Sequence, residues 1–165
     1  MNFIHKSDLK LYVYLLLLIY LPYAFYNVFS ISIRPDLLLI TTFYFSINKL
    51  LRVNLAYIGL IGLLNDELLN TVLGLHALIY VTISVLGRTN ANSLFKQKFS
   101  IVFLSFVLLV LISELLKQTI NLVMNLPVSI SYPEILGTGV TIILYPILHY
   151  FYAIKLKWFV NRNER

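Results

Sequence analysis

Long stretches without charged residues alternate along this chain with short polar segments. A helix needs about 20 apolar residues to cross about 30 Å of hydrocarbon. Four stretches approach that length, and only the third carries a charge, at Glu114; they cover residues 11–33, 68–87, 99–116 and 135–154. The pattern predicts an all-α integral membrane protein in which these stretches are transmembrane helices.

Two further uncharged segments are shorter. Residues 37–48 and 53–65 would each form a helix of only about 18–20 Å, with Lys49 and Arg52 between them. Two crossings would put both cations in the cytoplasm, whereas a re-entrant hairpin would bury them at about 2.5–3.5 kcal/mol each. Two short crossings, with the bilayer thinned locally, are therefore favoured over the hairpin.

The whole chain, residues 1–165, is then a single domain with six predicted transmembrane helices. These predicted spans cover about residues 11–31, 36–49, 52–66, 70–87, 99–117 and 135–155. Cytoplasmic loops of membrane proteins are enriched in Lys and Arg. With both termini in the cytoplasm, all but two of the 13 Lys and Arg residues fall on the inner side, the exceptions being Arg34 and Lys117.

Composition changes this picture in two respects. Only 12% of the residues are charged, whereas an average soluble domain carries about 25%, so no segment can form a solvated globular surface. The net charge of +6 is therefore a signal of membrane topology and not of a nucleic-acid surface. The chain has no cysteine, which excludes disulfides and thiolate metal sites.

Candidate chemistry within the predicted spans is sparse. In helices that run inward from the outer face, His76 would lie about 8 Å deep and His149 about 18 Å deep, which argues against a shared metal site. We interpret both as satisfied polar residues of a helix bundle, with a ligand or proton-relay role as the weaker alternative. Nucleophile–base pairs, phosphate-binding Gly loops and carboxylate pairs are absent from the sequence, so no catalytic residue, metal or cofactor is predicted.

Two acidic residues, Asp66 and Glu67, come at the outer end of the third predicted span. One interpretation is a solvated interfacial turn, with Asn70 or Thr71 as the N-cap of the next helix. The other is a structural or partner-binding ion pair. Because Arg34 is one of two basic residues on the outer side, we hypothesise that it pairs with Asp66.

Three further features of the sequence lead to local predictions. Asp36 directly precedes the second span, so it can cap that helix or compete for Arg34. Glu114 and Lys117, three residues apart, predict a rim salt bridge of little energetic weight. Pro146 lies in the middle of the last span and predicts a kink.

Small residues recur at every third position of the third span, at Ala56, Gly59 and Gly62. In lipid, small residues allow two helix backbones to approach closely. This seam can face a helix of the same chain or a helix of a partner, and the sequence leaves both possibilities open. Gly137 and Gly139 allow a similar approach at the start of the last span.

Several short motifs follow one another along the chain in an order that is typical of one protein family. They are Arg-Pro-Asp-Leu-Leu-Leu at 34–39, Arg-Val-Asn at 52–54, Gly-Leu-Leu-Asn-Asp at 62–66, Leu-Gly-Leu-His-Ala at 73–77, Pro-Glu at 133–134 and Tyr-Pro at 145–146. In this order and spacing they resemble the MreD family of rod-shape-determining membrane proteins over essentially the whole chain. One departure is the segment 67–73, Glu-Leu-Leu-Asn-Thr-Val-Leu, where Gly, Ser or Pro is common in the family.

The resemblance implies a non-enzymatic component of the complex that elongates the cell wall of rod-shaped bacteria, in the cytoplasmic membrane. The implied partner is an MreC-type single-span protein, within an assembly that includes the MreB filament, a RodA-type glycosyltransferase and a penicillin-binding transpeptidase. The motifs, the small-residue seam and the kink position together single out these structural or partner-binding residues: Arg34, Pro35, Asp36, Gly59, Gly62, Asp66, Gly74, Pro133, Glu134 and Pro146.

A small transporter subunit, such as the substrate-binding component of a vitamin-uptake system, is the alternative class. Such a protein needs a pocket with convergent polar groups. The polar residues of this chain cluster at the rim of the predicted bundle, which favours a scaffold over a transporter.

Overall fold

The computed structural model describes residues 34–48, 53–94, 96–125 and 132–163, with side chains described as far as Ala153. The described residues form helices and contain no strand; the helices are α1 (Leu37–Ile47), α2 (Leu55–Leu69), α3 (Leu75–Thr89), α4 (Ala91–Leu94), α5 (Phe99–Val123) and α6 (Tyr132–Asn163). The all-α prediction is therefore confirmed for this part of the chain. The first predicted span, 11–31, and the cations Lys49 and Arg52 lie outside the described residues.

Helix α1 is buried on every side. Residues 38–47 are all buried, and at 11 residues the helix is about 16 Å long, well short of the hydrocarbon thickness. Its hydroxyl groups bond to the carbonyls of their own helix: Thr41 Oγ1 donates to Leu37 O at 2.7 Å and Ser46 Oγ donates to Phe43 O at 2.7 Å. These hydroxyl groups are therefore hydrogen-bonded although they are buried away from water.

Helices α2 and α3 form an antiparallel pair with closely approaching backbones. A Cβ atom added to Gly62 would lie 2.6 Å from Ala77 N, and one added to Gly59 would lie 3.6 Å from Val81 Cγ2. Both glycines of the predicted seam therefore face α3 of the same chain. This is the close contact that small residues make possible between membrane helices.

Contacts at the two ends of the bundle define the helix directions. At one end, called here the Arg88 end, Arg88 Nη2 donates to Val53 O, just before α2 begins. Gly87 of α3 lies against Ser46 of α1 at this end, because an added Cβ would be 2.7 Å from Ser46 Cβ. At the opposite end, the Asp36 end, Asp36 N donates to Thr141 Oγ1 of α6 at 2.8 Å. Helices α1, α3 and α6 therefore run from the Asp36 end to the Arg88 end, and α2 runs in the opposite direction.

A cluster of aromatic rings joins α1, α5 and α6 in the core. The rings of Phe106 and Tyr145 are stacked, with their centroids 4.2 Å apart. Phe43 of α1 lies against both, at centroid distances of 5.4 and 5.8 Å. Such ring pairs stabilise a fold by more than the burial of their apolar surface alone.

Large apolar side chains are exposed on the described helices, while several polar groups are buried among the hydrophobic residues of the core. On α5 the side chains of Leu104 and Leu115 are 60% and 68% exposed, whereas Asp66 is completely buried. Two described helices, Phe99–Val123 and Tyr132–Ala153, are long and apolar enough to cross a membrane. An apolar exterior of this kind is stable in lipid and would aggregate in water. The six-span topology with cytoplasmic termini stays a prediction.

Helix bounds differ from the predicted spans where helices end in polar turns. Helix α2 continues to Leu69 and α3 begins at Leu75, whereas the sequence suggested a boundary near residues 66–70. Helices α5 and α6 extend beyond 117 and 155 into polar residues. Pro146 lies inside α6, which continues on both sides of it.

Candidate functional site

The most densely bonded polar group of the described residues is the carboxylate of Asp66, near the end of α2. Its Oδ1 atom accepts from His76 Nδ1 at 2.6 Å, from His76 N at 2.9 Å and from Thr71 Oγ1 at 3.0 Å. Its Oδ2 atom accepts from Gly74 N at 2.8 Å. Gly74 is the N-cap residue of α3, with φ of +96° and no side chain to cap it. Asp66 therefore supplies the N-terminal cap of α3 from the preceding helix.

This arrangement corrects the prediction for the turn between α2 and α3. Neither Asn70 nor Thr71 is the N-cap of α3: Asn70 ends α2 in a left-handed conformation, with φ of 52° and ψ of 41°. Asp66 is not a residue of a solvated turn, because its exposed fraction is 0%.

The hypothesis that Arg34 pairs with Asp66 is wrong. The side-chain partner of Asp66 nearest to its carboxylate is the His76 ring, 2.6 Å away. Both oxygens of the carboxylate are enclosed in the turn, where they accept from Thr71, Gly74 and His76. Among the described residues, no ion pair joins Arg34 to Asp66.

The two histidines of the predicted spans are both hydrogen-bonded. His76 is 4% exposed and pairs with Asp66, and His149 lies 3.3 Å from Tyr145 Oη through its Nδ1. Among the described residues, no group of three or more His, Cys, Asp or Glu side chains could hold a metal ion. The Asp66–His76 pair was missed in the sequence, although an acid that ends one helix and a His that begins the next are neighbours across a tight turn.

A second hydrogen-bond network joins four elements at the Asp36 end. Tyr80 Oη of α3 donates to Asp36 Oδ1 at 2.9 Å and accepts from Asn65 Nδ2 of α2 at 3.0 Å. Asp36 Oδ1 also accepts from Leu39 N at 2.9 Å, so the prediction that Asp36 caps the helix after it, α1, is confirmed. Through its bond to Thr141 the network reaches α6. Sequence reasoning missed Tyr80 and Thr141 and gave Asn65 no bonding role, because the partners of these residues lie 15 to 105 residues away in the chain.

Beside these networks lies a cavity of about 710 Å³ at the Asp36 end. Its lining combines leucines of α1, α2 and α3 with charged side chains from the start of α1, from α5 and from α6. The charged residues among them are Arg34, Asp36, Glu114, Lys117 and Glu134. Lys117 Nζ lies 3.0 Å from Glu114 Oε1, which confirms the predicted salt bridge. A mixed polar and apolar cavity of this size is suited to recognition.

The family model of the rod shape-determining protein MreD matches residues 7–155 of this chain. The chain belongs to the MreD family. No curated protein and no solved structure matches it.

Membership in the MreD family makes this chain a rod-shape-determining membrane protein. The family is one of shape-determining structural proteins and is not known as an enzyme family. The apolar exterior of α5 and α6 is consistent with a location in the membrane.

The motifs that resemble the MreD family converge in part. Arg34, Pro35 and Asp36 line the same cavity as Glu134, although about a hundred residues separate them in the chain. The backbones meet there as well: a Cβ added to Gly137 would lie 2.8 Å from Arg34 O.

The remaining predicted site residues lie elsewhere. Gly59 and Gly62 are at the contact between α2 and α3, and Gly74 caps α3. Pro133 is the second residue of α6, and Pro146 is in its interior, away from the cavity.

Proposed function

We propose that this MreD family member is a non-enzymatic, multi-pass scaffold of the bacterial cytoplasmic membrane that binds an MreC-type single-span protein. In this proposal it maintains rod shape by holding the cell-wall elongation complex together. The wider assembly contains the MreB filament, a RodA-type glycosyltransferase and a penicillin-binding transpeptidase.

The observation that supports a scaffold is that buried polar groups at the Asp36 end form hydrogen bonds to other groups of the protein. The acceptors of Asp66 bond to Thr71, Gly74 and His76 within one turn, and Tyr80 bonds to Asp36. These bonds hold helix ends relative to one another, and hydrogen bonds in such a site rigidify a structure when they are satisfied. A rigid platform with a charged recess is a suitable surface for a partner.

The proposed contact surface is the rim of the cavity. Arg34, Asp36 and Glu134 converge there from two distant motifs. In the predicted topology this end faces the extracytoplasmic side, where an MreC-type protein carries its folded domain. Charged groups at a rim contribute to orientation and to partner choice.

The proposal is tested by depletion and purification from membranes. Depletion of the protein in its own rod-shaped cells is expected to make the cells round, and purification is expected to recover the MreC-type protein. Arg34→Ala should reduce that recovery at unchanged abundance, because it removes a charge from the rim. Glu67→Ala is the matched control, since Glu67 is exposed at the same end but does not line the cavity. Normal rods after depletion would contradict the proposal.

A second candidate function is a transporter subunit, and the cavity of about 710 Å³ with its convergent polar lining favours it. Pockets of about 300–1,000 Å³ commonly hold small ligands. The two functions are separated by the phenotype: loss of a transporter subunit creates a nutrient requirement in cells that stay rod-shaped.

A further inference from the structure

Two lining residues of the cavity have buried acceptor atoms without a hydrogen-bond donor among the described residues. These atoms are Asp36 Oδ2 and Gln118 Oε1. Asp36 comes from the start of α1 and Gln118 from α5, and both line the cavity. A buried carboxylate oxygen that lacks a donor lowers stability, so a donor at this position is favoured.

The Asp36 carboxylate is held in place by its other oxygen. Oδ1 accepts from Leu39 N at 2.9 Å and from Tyr80 Oη at 2.9 Å. Rotation of the carboxylate to satisfy Oδ2 within the protein would break one or both of these bonds. The group that donates to Oδ2 therefore has to come from outside this network.

The charges of the lining favour a cationic donor. Among the described lining residues, Asp36, Glu114 and Glu134 are acidic and Arg34 and Lys117 are basic, which gives one more carboxylate than cations. Lys117 is bonded to Glu114. A positively charged group that donates N–H bonds satisfies both the orphaned carboxylate oxygen and the charge balance.

The apolar lining indicates that the ligand is an amphiphile. Leu68, Leu69, Val72 and Leu75 form part of the cavity wall. Next to them in the chain, Leu73 is 69% exposed on the outside of the molecule. A ligand with a charged head and an apolar body matches such a wall better than a fully hydrated solute does.

We propose that the cavity binds the primary ammonium group of an amphiphile, whose N–H groups donate to Asp36 Oδ2 and Gln118 Oε1. The same chemistry is present in the headgroup of phosphatidylethanolamine and in a free alkylamine. The proposal goes beyond the scaffold function, since neither cell shape nor partner binding requires it. A quaternary ammonium, as in phosphatidylcholine, has no N–H group to donate.

The test uses the purified full-length chain in detergent micelles, with thermal unfolding and native mass spectrometry as readouts. Phosphatidylethanolamine should raise the unfolding temperature and be retained, whereas phosphatidylcholine and phosphatidylglycerol with the same acyl chains should not. Competition by octylamine but not octanol would show that the ammonium group alone is recognised. Retention of phosphatidylethanolamine without competition by octylamine would assign the site to the lipid headgroup.

Asp36→Asn is the decisive variant. It keeps Oδ1 as an acceptor for Leu39 N and Tyr80 Oη and replaces only Oδ2, so the helix cap is preserved. Binding of phosphatidylethanolamine should weaken about 10-fold or more, because a charge-assisted bond is lost. Glu67→Gln, which neutralises an exposed carboxylate outside the cavity, should bind like the wild type.

Three results would overturn the proposal: equal retention of phosphatidylcholine and phosphatidylethanolamine, equal retention of phosphatidylglycerol, or unchanged binding by Asp36→Asn. The lipid comparison on the wild-type chain remains informative if that variant does not fold. Because all of these measurements are made without a partner protein, their outcome is independent of whether depletion makes cells round.

Discussion

The carboxylate of Asp66 accepts four hydrogen bonds in a position with no solvent exposure. In a membrane, a backbone N–H without an acceptor has no water to replace it. Asp66 solves this problem for the start of α3, because it accepts from the backbone of both Gly74 and His76. A single side chain thus closes the turn and fixes the first residues of the next helix.

We expect Asp66→Ala to destabilise the protein by roughly 3–5 kcal/mol, because several buried donors lose their shared acceptor at a cost of about 1–3 kcal/mol each. The substitution leaves Gly74 N, His76 N and the His76 ring without their acceptor, whereas the Thr71 hydroxyl can still donate to the carbonyl of residue 66. The measurement is the unfolding temperature and folded yield of the chain purified in detergent. Glu67→Ala, one residue further along the same helix but exposed, should stay within about 0.5 kcal/mol of the wild type. Equal stability of both variants would show that the buried bonds of Asp66 contribute little.

A charge swap provides an independent check on the partner of Asp66. Because its carboxylate faces His76 and not Arg34, the double variant Arg34→Asp with Asp66→Arg should be no more stable than Asp66→Arg alone. If the double variant instead recovered stability, the hypothesis of a direct Arg34–Asp66 pair would be supported against the geometry.

At the scale of elements, the contact between α2 and α3 depends on one glycine. A Cβ at Gly62 would lie 2.6 Å from Ala77 N and 3.0 Å from Ala77 Cβ. Backbone atoms cannot move aside as a flexible side chain can, so an added methyl group has to separate the helices. Close approach of backbones is a main source of helix association in lipid.

We therefore expect Gly62→Ala to lower stability by about 1–3 kcal/mol, the usual cost of overpacking. The matched control is Gly139→Ala in α6, where an added Cβ meets no atom within 4 Å. There alanine should be neutral or stabilise by up to about 1 kcal/mol, because it is the better helix former. Thermal unfolding of both variants in detergent measures the difference, and a loss at Gly139 as large as that at Gly62 would disprove this explanation.

How well an element could be predicted from the sequence depended on whether its cause was local. Helices α5 and α6 were predicted because their long apolar runs are a local signal. The start of α3 was misplaced because its cap, Asp66, lies eight residues before Gly74 and belongs to another helix.

The candidate site shows the same division. Arg34, Asp36 and Glu134 were singled out by their motifs, but nothing in those motifs indicates that they share a cavity. Tyr80 and Thr141 escaped prediction, because their bonds to Asp36 span 44 and 105 residues.

At the scale of the whole molecule, the directions of the described helices agree with the order predicted for the second to sixth spans, while the crossings themselves stay a prediction. Helices α1, α3 and α6 run in one direction, as the second, fourth and sixth predicted spans should. Helix α5 runs against α6: Phe99, at its start, lies 5.1 Å from the His149 ring, whereas Lys117, near its end, lines the cavity at the Asp36 end.

Reporter fusions test the orientation of this bundle in the membrane. Fusions after residues 50, 92 and 160 are expected to report the cytoplasm, and fusions after residues 34, 67 and 128 the outer side, because Lys and Arg concentrate inside. Enzymatic reporters that are active on only one side of the membrane make the measurement. An outside signal at 50 alone would indicate a re-entrant hairpin, and disagreement between 92 and 160 would contradict six spans.

The bonds of α1 to α6 have a consequence for biosynthesis. Asp36 meets Thr141 and Thr41 meets Tyr152, at separations of 105 and 111 residues. A ribosome that adds about 5–20 residues per second makes α1 about 5–20 s before α6 exists. During that interval the most enclosed of the described helices has to be sheltered by the insertion machinery or by neighbouring segments. A nascent chain that terminates before residue 141 leaves α1 without its partner in α6, and such a fragment is a substrate for membrane quality control.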